Sequence, residues 1–86
     1  MEEKKYYAYM LLCSDGTVYS GFTTDPVRRE RMHNEGKAAK YTRTRRPVRM
    51  IYVESFTDKS SALKREAAFK KMSHDEKLAL AKTYLK

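Results

Sequence analysis

Two β-prone runs separated by three turn residues restrict this chain more than any other feature: "YYAYMLLC" from Tyr6 to Cys13 and "TVYSGF" from Thr17 to Phe22, around Ser14-Asp15-Gly16. Strand formers that bracket a short loop ending in glycine read as a β-hairpin. A three-residue loop with Gly16 in the left-handed conformation puts Ala8, Met10 and Leu12 on one face with Val18, Ser20 and Phe22. The opposite face then carries Tyr7, Tyr9, Leu11 and Cys13 with Thr17, Tyr19 and Gly21. A two-residue Asp15-Gly16 loop would shift the pairing by one residue and part Tyr9 from Tyr19. The three-residue loop is preferred because it segregates the apolar residues cleanly.

Beyond the hairpin, Asp25 is a good helix N-cap with Pro26 at the first helical position, and the helix can run to about Glu35 before Gly36 stops it. The Lys- and Arg-rich segment "KAAKYTRTRRP" follows and reads as a surface loop or short helical turn. "VRMIYVESF", with Val48, Met50 and Tyr52 alternating, reads as a third strand, and Asp58 caps a helix from about Lys59 to Lys71. Ser73-His74-Asp75-Glu76 is a capping box before a last helix whose apolar stripe is Leu78, Ala81 and Leu85. The expectation is an α+β fold, a small three-stranded antiparallel sheet made of the N-terminal hairpin plus the third strand, flanked by three to four helices. One domain spans 1–86, with its core over about 6–71 and its C-terminal helix over about 74–85.

Eighty-six residues make one domain with a modest core. Hydrophobic residues at 41%, including seven Tyr and three Phe, are enough for a folded rather than a disordered chain. A formal charge of +8 favours polyanionic partners such as nucleic acid or acidic lipid, although a basic surface also serves solubility. The single cysteine, Cys13, forms no internal disulfide and reads as a strand packing residue, which with the absence of zinc-ligand spacing points to a reducing cytoplasm. Polar Met1 to Lys5 precedes an apolar run of only about eight residues, too short for a membrane span or a signal core. No glycine-rich phosphate loop or dinucleotide fingerprint exists here, which argues against nucleotide-driven chemistry.

Several residues look out of place in a plain scaffold. On the third helix, at 100° per residue, Phe69, Ala62, Leu63 and Ala67 form the inward arc, and Glu66 lies within it. An inward carboxylate is costly unless paired or bound to a cation, and its candidate partners are Arg28, Arg29 or a metal ion. A structural Glu–Arg pair is the commoner outcome. Arg29 and His33 are four apart and share a helix face. Tyr9 and Tyr19 are ordinary strand residues by type, and either phenol needs cations nearby to act as a base near neutrality, a field that Arg29 and His33 can supply. Lys37, Lys40, Arg43, Arg45 and Arg46 with Tyr41 between them suit phosphate contacts beside one stacking ring.

These residues resemble the GIY-YIG nuclease domain. Its first signature triplet corresponds to Tyr7-Ala8-Tyr9 and its second to Tyr19-Ser20-Gly21; the family's helix arginine falls on Arg29, a histidine found in many members on His33, and the metal-binding glutamate on Glu66 within "SALKREAAFK". The resemblance covers about Tyr6 to Lys71. "GFTTDPVRRERMHNEGKAAKYT" is especially similar to Slx-type structure-specific nucleases and to short, free-standing bacterial members. The resemblance implies phosphodiester hydrolysis assisted by one Mg2+ or Mn2+ ion. Tyr19 would be the general base, Tyr9 would orient the water or the phosphate, Arg29 would stabilise the scissile phosphate, His33 would assist, and Glu66 would hold the metal.

The expected function is a metal-dependent DNA endonuclease, selective for structure more than sequence because no recognition domain is appended, and linked to DNA repair or recombination. Two other readings compete with it. One is a nucleic-acid-binding module that keeps the fold with weak or no catalysis. The other is a protein-interaction domain that turns its basic surface to an acidic partner.

Overall fold

The computed structural model describes residues 5–84; Met1 to Lys4, and Leu85 of the expected apolar stripe, lie outside the described residues. Strands β1 (Tyr6–Leu12) and β2 (Val18–Thr23) pair antiparallel, with Ala8 opposite Phe22, Met10 opposite Ser20 and Leu12 opposite Val18. The loop between them is the three-residue one. The Cys13 N–H donates to the Thr17 carbonyl at 2.9 Å, the Gly16 N–H donates to the Cys13 carbonyl at 3.0 Å, and Gly16 takes a φ of 85°. The Asp15 carboxylate closes the turn by accepting from both the backbone N–H and the hydroxyl of Thr17.

Strand β3 (Arg49–Phe56) pairs antiparallel with the other edge of β1, so the sheet order is β2-β1-β3. Its register slips by one residue between Met10 and Leu11, which stand opposite Tyr52 and Met50 respectively. Ile51 is the extra residue of this bulge. The expected alternation of Val48, Met50 and Tyr52 is therefore broken: Val48 and Met50 pack with Tyr9 and Leu11, whereas Ile51 and Tyr52 both pack on the side of Ala8 and Met10.

Among the described residues, four helices cover the sheet. Helix α1 (Pro26–Asn34) starts where the Asp25 carboxylate accepts from the Arg28 N–H and ends before Gly36, whose φ is 77°. Helix α2 (Lys40–Arg43) is one turn within the basic segment. Helix α3 (Lys59–Lys70) is capped by Asp58, which accepts from the Ser61 N–H at 2.8 Å. Helix α4 (His74–Tyr84) begins with the expected box, the Ser73 N–H donating to Glu76 Oε1 and the Glu76 N–H to Ser73 Oγ. His74 adds a bond that sequence does not foretell, its Nε2–H donating to the Gly16 carbonyl at 2.8 Å and pinning α4 to the hairpin turn.

The inward face of α3 differs from expectation. Ala62 and Phe69 are fully buried, but Leu63 is 40% exposed and Ala67 is also exposed. Phe69 is the largest apolar side chain on this helix and packs with Met10 and Ile51, and Ala62, two turns earlier, is buried on the same side. A stripe centred on that pair, seven residues apart and about 20° offset, turns Leu63 outward by about 100°. Glu66 remains at the stripe's margin, half-buried. Helices α3 and α4 thus cover the face of Ala8 and Met10, and α1 and α2 cover the phenol face.

Nothing lies within 4 Å of where a Gly16 Cβ would sit, so substitution there meets backbone strain alone. Gly16→Ala is expected to destabilise the fold by about 1–2 kcal/mol. Urea denaturation should show a lower midpoint with an unchanged m-value.

Candidate active site

The phenol face is built around Tyr9, which is 2% exposed at the centre of the sheet. Tyr9 stands opposite Gly21 on the edge strand, and its ring lies across that glycine: a Cβ on Gly21 would overlap the Tyr9 hydroxyl and Cζ. The absent side chain therefore makes room for a tyrosine of this protein. It also carries the Tyr9 hydroxyl outward over β2.

That hydroxyl meets His33 Nε2 at 2.9 Å, and His33 Nδ1 meets Thr42 Oγ1 at 2.8 Å. The Thr42 hydroxyl donates its hydrogen to the Ala39 carbonyl at 3.1 Å, so its oxygen is the acceptor for His33. Nδ1 is then the protonated nitrogen, Nε2 is bare, and Tyr9 donates to it. His33 is 1% exposed and Thr42 fully buried. Burial, with the Arg29 guanidinium nearby, lowers the His33 pKa to about 4, so the ring is neutral at pH 7. It does not supply the positive field expected of it; Arg29 does. Burial pushes the Tyr9 hydroxyl above the usual tyrosine range, reinforced by Tyr19 and Glu66 and opposed by Arg29. Tyr19, Arg29 and Glu66 are thus within electrostatic reach of one hydroxyl.

Tyr19 is half-buried, and its ring packs edge-on to His33 at 5.3 Å and stacks on Tyr41 at 5.8 Å. Its hydroxyl makes no hydrogen bond among the described residues. Arg29 lies one turn before His33 on α1, half-buried and without an ion pair among the described residues. Glu66 pairs with neither Arg28 nor Arg29. Its Oε2 lies 3.2 Å from Lys70 Nζ, an i,i+4 pair within α3, with the glutamate side chain 19% exposed and the lysine 57%. The reason is proximity along the helix: a lysine one turn away reaches the carboxylate without crossing the sheet.

No group of three or more His, Cys, Asp or Glu side chains gathers to hold a metal ion among the described residues. The donor set at Glu66 is a single carboxylate. Such a set suits a hard divalent cation that keeps several waters and completes its shell with substrate phosphate oxygens. The exposed Lys70 ammonium occupies the cationic position and is free to swing away.

The basic segment divides into two kinds of residue. Arg45 Nε donates to Asp15 Oδ2 at 3.0 Å, its Nη1 donates to the Tyr41 carbonyl at 2.8 Å, and its guanidinium lies 4.0 Å from the Tyr41 ring centroid. Arg46 donates to the carbonyls of Arg43 and Asn34, closing the end of α1. Lys40 and Arg43 are exposed and make no ion pair among the described residues, and Lys37 has only the loose, exposed Glu35 at 3.8 Å. Tyr41 is 38% exposed, with its ring already engaged by Tyr19 and Arg45. Cys13 is buried beside Tyr9 and Leu11, and burial raises its thiol pKa. The residue that sequence reasoning missed is Thr42. Its type and spacing offer no signal, because only the fold brings it under His33.

A three-stranded antiparallel sheet with paired phenols on one face, an arginine and a histidine one turn apart on the first helix, and a glutamate on the helix after the third strand define a tyrosine-centred nuclease-type domain. The chain belongs to the GIY-YIG family, since the model of the GIY-YIG catalytic domain matches residues 5–79. It is 61% identical over 77 residues to a UPF0213 protein of Lactiplantibacillus plantarum, covering 87% of this chain and 76% of the relative. To a UPF0213 protein of Enterococcus faecalis it is 53% identical, covering 98% and 99%. The solution NMR structure of a UPF0213 protein from Bacillus halodurans superposes with a TM-score of 0.59 at 40% identity, covering 92% of this chain and 84% of that one. An E. faecalis protein solved by NMR gives 0.60 at 47% identity, covering 100% and 94%.

The low pKa of His33 has a consequence for stability. The folded protein resists protonating this ring and the unfolded chain does not, so between the ordinary pKa of 6.5 and about 4 the unfolded state binds more protons. Stability should be full above pH 6.5 and fall by about 3 kcal/mol as pH drops to 4. Asp15 and Asp58, both held below the usual carboxylate range by hydrogen bonds, contribute at lower pH than this. Urea midpoints across pH 7 to 4 should fall for the wild type, and the decline should flatten in His33→Gln.

Proposed function

We propose that this chain is a metal-dependent DNA endonuclease, selective for the shape of its substrate and serving DNA repair or recombination. The observation that carries this reading is the directed bond chain from Tyr9 through His33 and Thr42 to the Ala39 carbonyl, set beside Tyr19, Arg29 and Glu66. A buried histidine held neutral, with its bare nitrogen facing a phenol, is a proton acceptor in waiting.

Tyr19 is the phenol that faces substrate, since Tyr9 is buried and already committed. The attacking water loses a proton to the Tyr19 oxygen as the Tyr19 proton passes to the Tyr9 oxygen, through a contact that substrate binding has to form, and the Tyr9 proton to His33 Nε2, which returns it to solvent after the step. The water oxygen forms a bond to phosphorus, the bond from phosphorus to the leaving oxygen breaks, and that oxygen takes a proton from solvent. Arg29 balances the charge on the phosphate. Burial is the main cause of the low His33 pKa and persists in the complex, while a bound phosphate offsets the smaller Arg29 contribution and moves the imidazole part of the way toward a better base. Glu66, with substrate phosphate oxygens, would hold Mg2+ or Mn2+, which supplies charge neutralisation at the leaving oxygen.

Lys37, Lys40 and Arg43 are the proposed phosphate contacts beyond the site, with Tyr41, Arg45 and Arg46 shaping the segment that presents them. The Lys70 ammonium on Glu66 favours a second reading, a DNA-binding module whose carboxylate is partnered by a lysine rather than a metal ion.

Cleavage of branched, nicked and plain duplex DNA with Mg2+ or Mn2+ separates the two. Tyr19→Phe, Arg29→Ala and Glu66→Ala should each lower kcat by roughly 100-fold or more. Equal cutting by Glu66→Ala, or no cutting of any substrate, would sink the endonuclease. Binding is tested apart from cutting: the double change Lys40→Ala with Arg43→Ala should reduce the salt slope of DNA binding by about two.

A further inference from the structure

We infer that Thr42 is a positioning residue: it holds His33 in the Nδ1–H tautomer and so fixes the direction in which the Tyr9 hydroxyl donates. Its catalytic consequence rests on the proton path proposed above, but the hydrogen-bond assignment does not.

Three bonds and their burial carry the argument. Thr42 is fully buried, and its hydroxyl has one hydrogen, which is given to the Ala39 carbonyl at 3.1 Å. Only lone pairs remain to face His33 Nδ1 at 2.8 Å, so that nitrogen must carry the hydrogen. Reversing the chain would leave the Ala39 carbonyl with the Arg43 N–H alone and turn Nε2–H onto the Tyr9 oxygen, whose own buried hydrogen would then have no acceptor among the described residues. A buried donor so unpaired costs of the order of 1–3 kcal/mol. One hydroxyl therefore sets the tautomer of a ring that ends at the substrate side of the sheet.

The turn that carries Thr42 is itself tied down. The Ser14 N–H and hydroxyl both donate to the Arg45 carbonyl at 2.9 Å, the Arg45 guanidinium reaches Asp15 at 3.0 Å, and the Arg45 N–H donates to the Thr42 carbonyl at 3.0 Å. A four-residue helix too short to be stable alone is thus fixed against the hairpin tip. The fold uses one end of the hairpin to place Thr42 and its middle to place Tyr9.

The test is 15N NMR of the His33 ring in the intact protein at neutral pH, supported by steady-state kinetics. Wild type should show a protonated Nδ1 and a bare Nε2. Thr42→Val, which keeps the shape and removes the acceptor, should shift the ring toward the Nε2–H tautomer, and Thr42→Ser should restore it. Where DNA is cleaved, kcat should fall roughly 10- to 100-fold in Thr42→Val with KM unchanged, and recover in Thr42→Ser. A wild-type ring protonated on Nε2 overturns the inference without any variant having to fold. So does Thr42→Val that keeps the Nδ1–H tautomer, or that changes the tautomer and cuts at the wild-type rate. Failure of every protein to cleave would count against the endonuclease alone, since the tautomer is read without substrate.

Discussion

Everything on the phenol face depends on the contact between a tyrosine ring and a glycine with no side chain. Because Gly21 has none, Tyr9 can lie across the edge strand instead of standing upright on the central one, and its hydroxyl reaches His33 Nε2 at 2.9 Å. Any larger residue would lift the ring and break that bond. A glycine within a strand commonly marks a place where a ligand or another part of the chain comes close to the sheet. The structure gives the space to a side chain of the protein itself. The close approach that a strand glycine permits is here between two parts of one chain.

The sheet separates two tasks that a small domain cannot easily combine. One face is apolar, with Ala8, Met10, Ile51 and Phe69 supplying most of the dry contact, and it binds α3 and α4. The other holds a buried polar chain in which each member is satisfied, which is the condition for burying polar groups at all. The bulge at Ile51 serves this division. It returns Ile51 and Tyr52 to the apolar side while Val48 and Met50 stay under Tyr9. Without it, a strictly alternating third strand would put Tyr52 beneath the histidine and remove a neighbour from Phe69.

Much of this was legible in the sequence. The turn Ser14-Asp15-Gly16 specified the register because only one loop length sorts the apolar residues, and Asp25, Gly36, Asp58 and Ser73 marked helix ends through local chemistry that needs no tertiary context. Tyr9, Tyr19, Arg29, His33 and Glu66 could be singled out because their spacing puts them on definable faces. What was not legible depends on contacts between distant segments. The rotation of α3 is decided by where Phe69 finds its pocket, so Leu63 faced inward on paper and faces solvent in the fold. The partner of Glu66 turned on reach rather than charge. Thr42 is invisible to periodicity because a one-turn helix has none.

The basic segment shows why a charge run is a poor map of a binding surface. Its residues have the same sign and opposite employment, and the division follows side-chain chemistry. A guanidinium is a planar fork that can donate to a carboxylate and a carbonyl together, which is what Arg45 does with Asp15 and Tyr41, and Arg46 with two carbonyls. Such a group is able to fold a loop that has no other regular structure. An ammonium on a flexible stem gains less from fixed acceptors and stays in water, as Lys37 and Lys40 do. Arginines near turns in a short basic stretch are therefore the first candidates for internal work, and the positive field left for a polyanion comes from the lysines and from arginines that lack a carbonyl or carboxylate within reach, here Arg43 and the Arg28 and Arg29 pair of α1. That field lies on the same side of the sheet as the buried histidine, so the loop that gathers the charge also holds the ring in its tautomer.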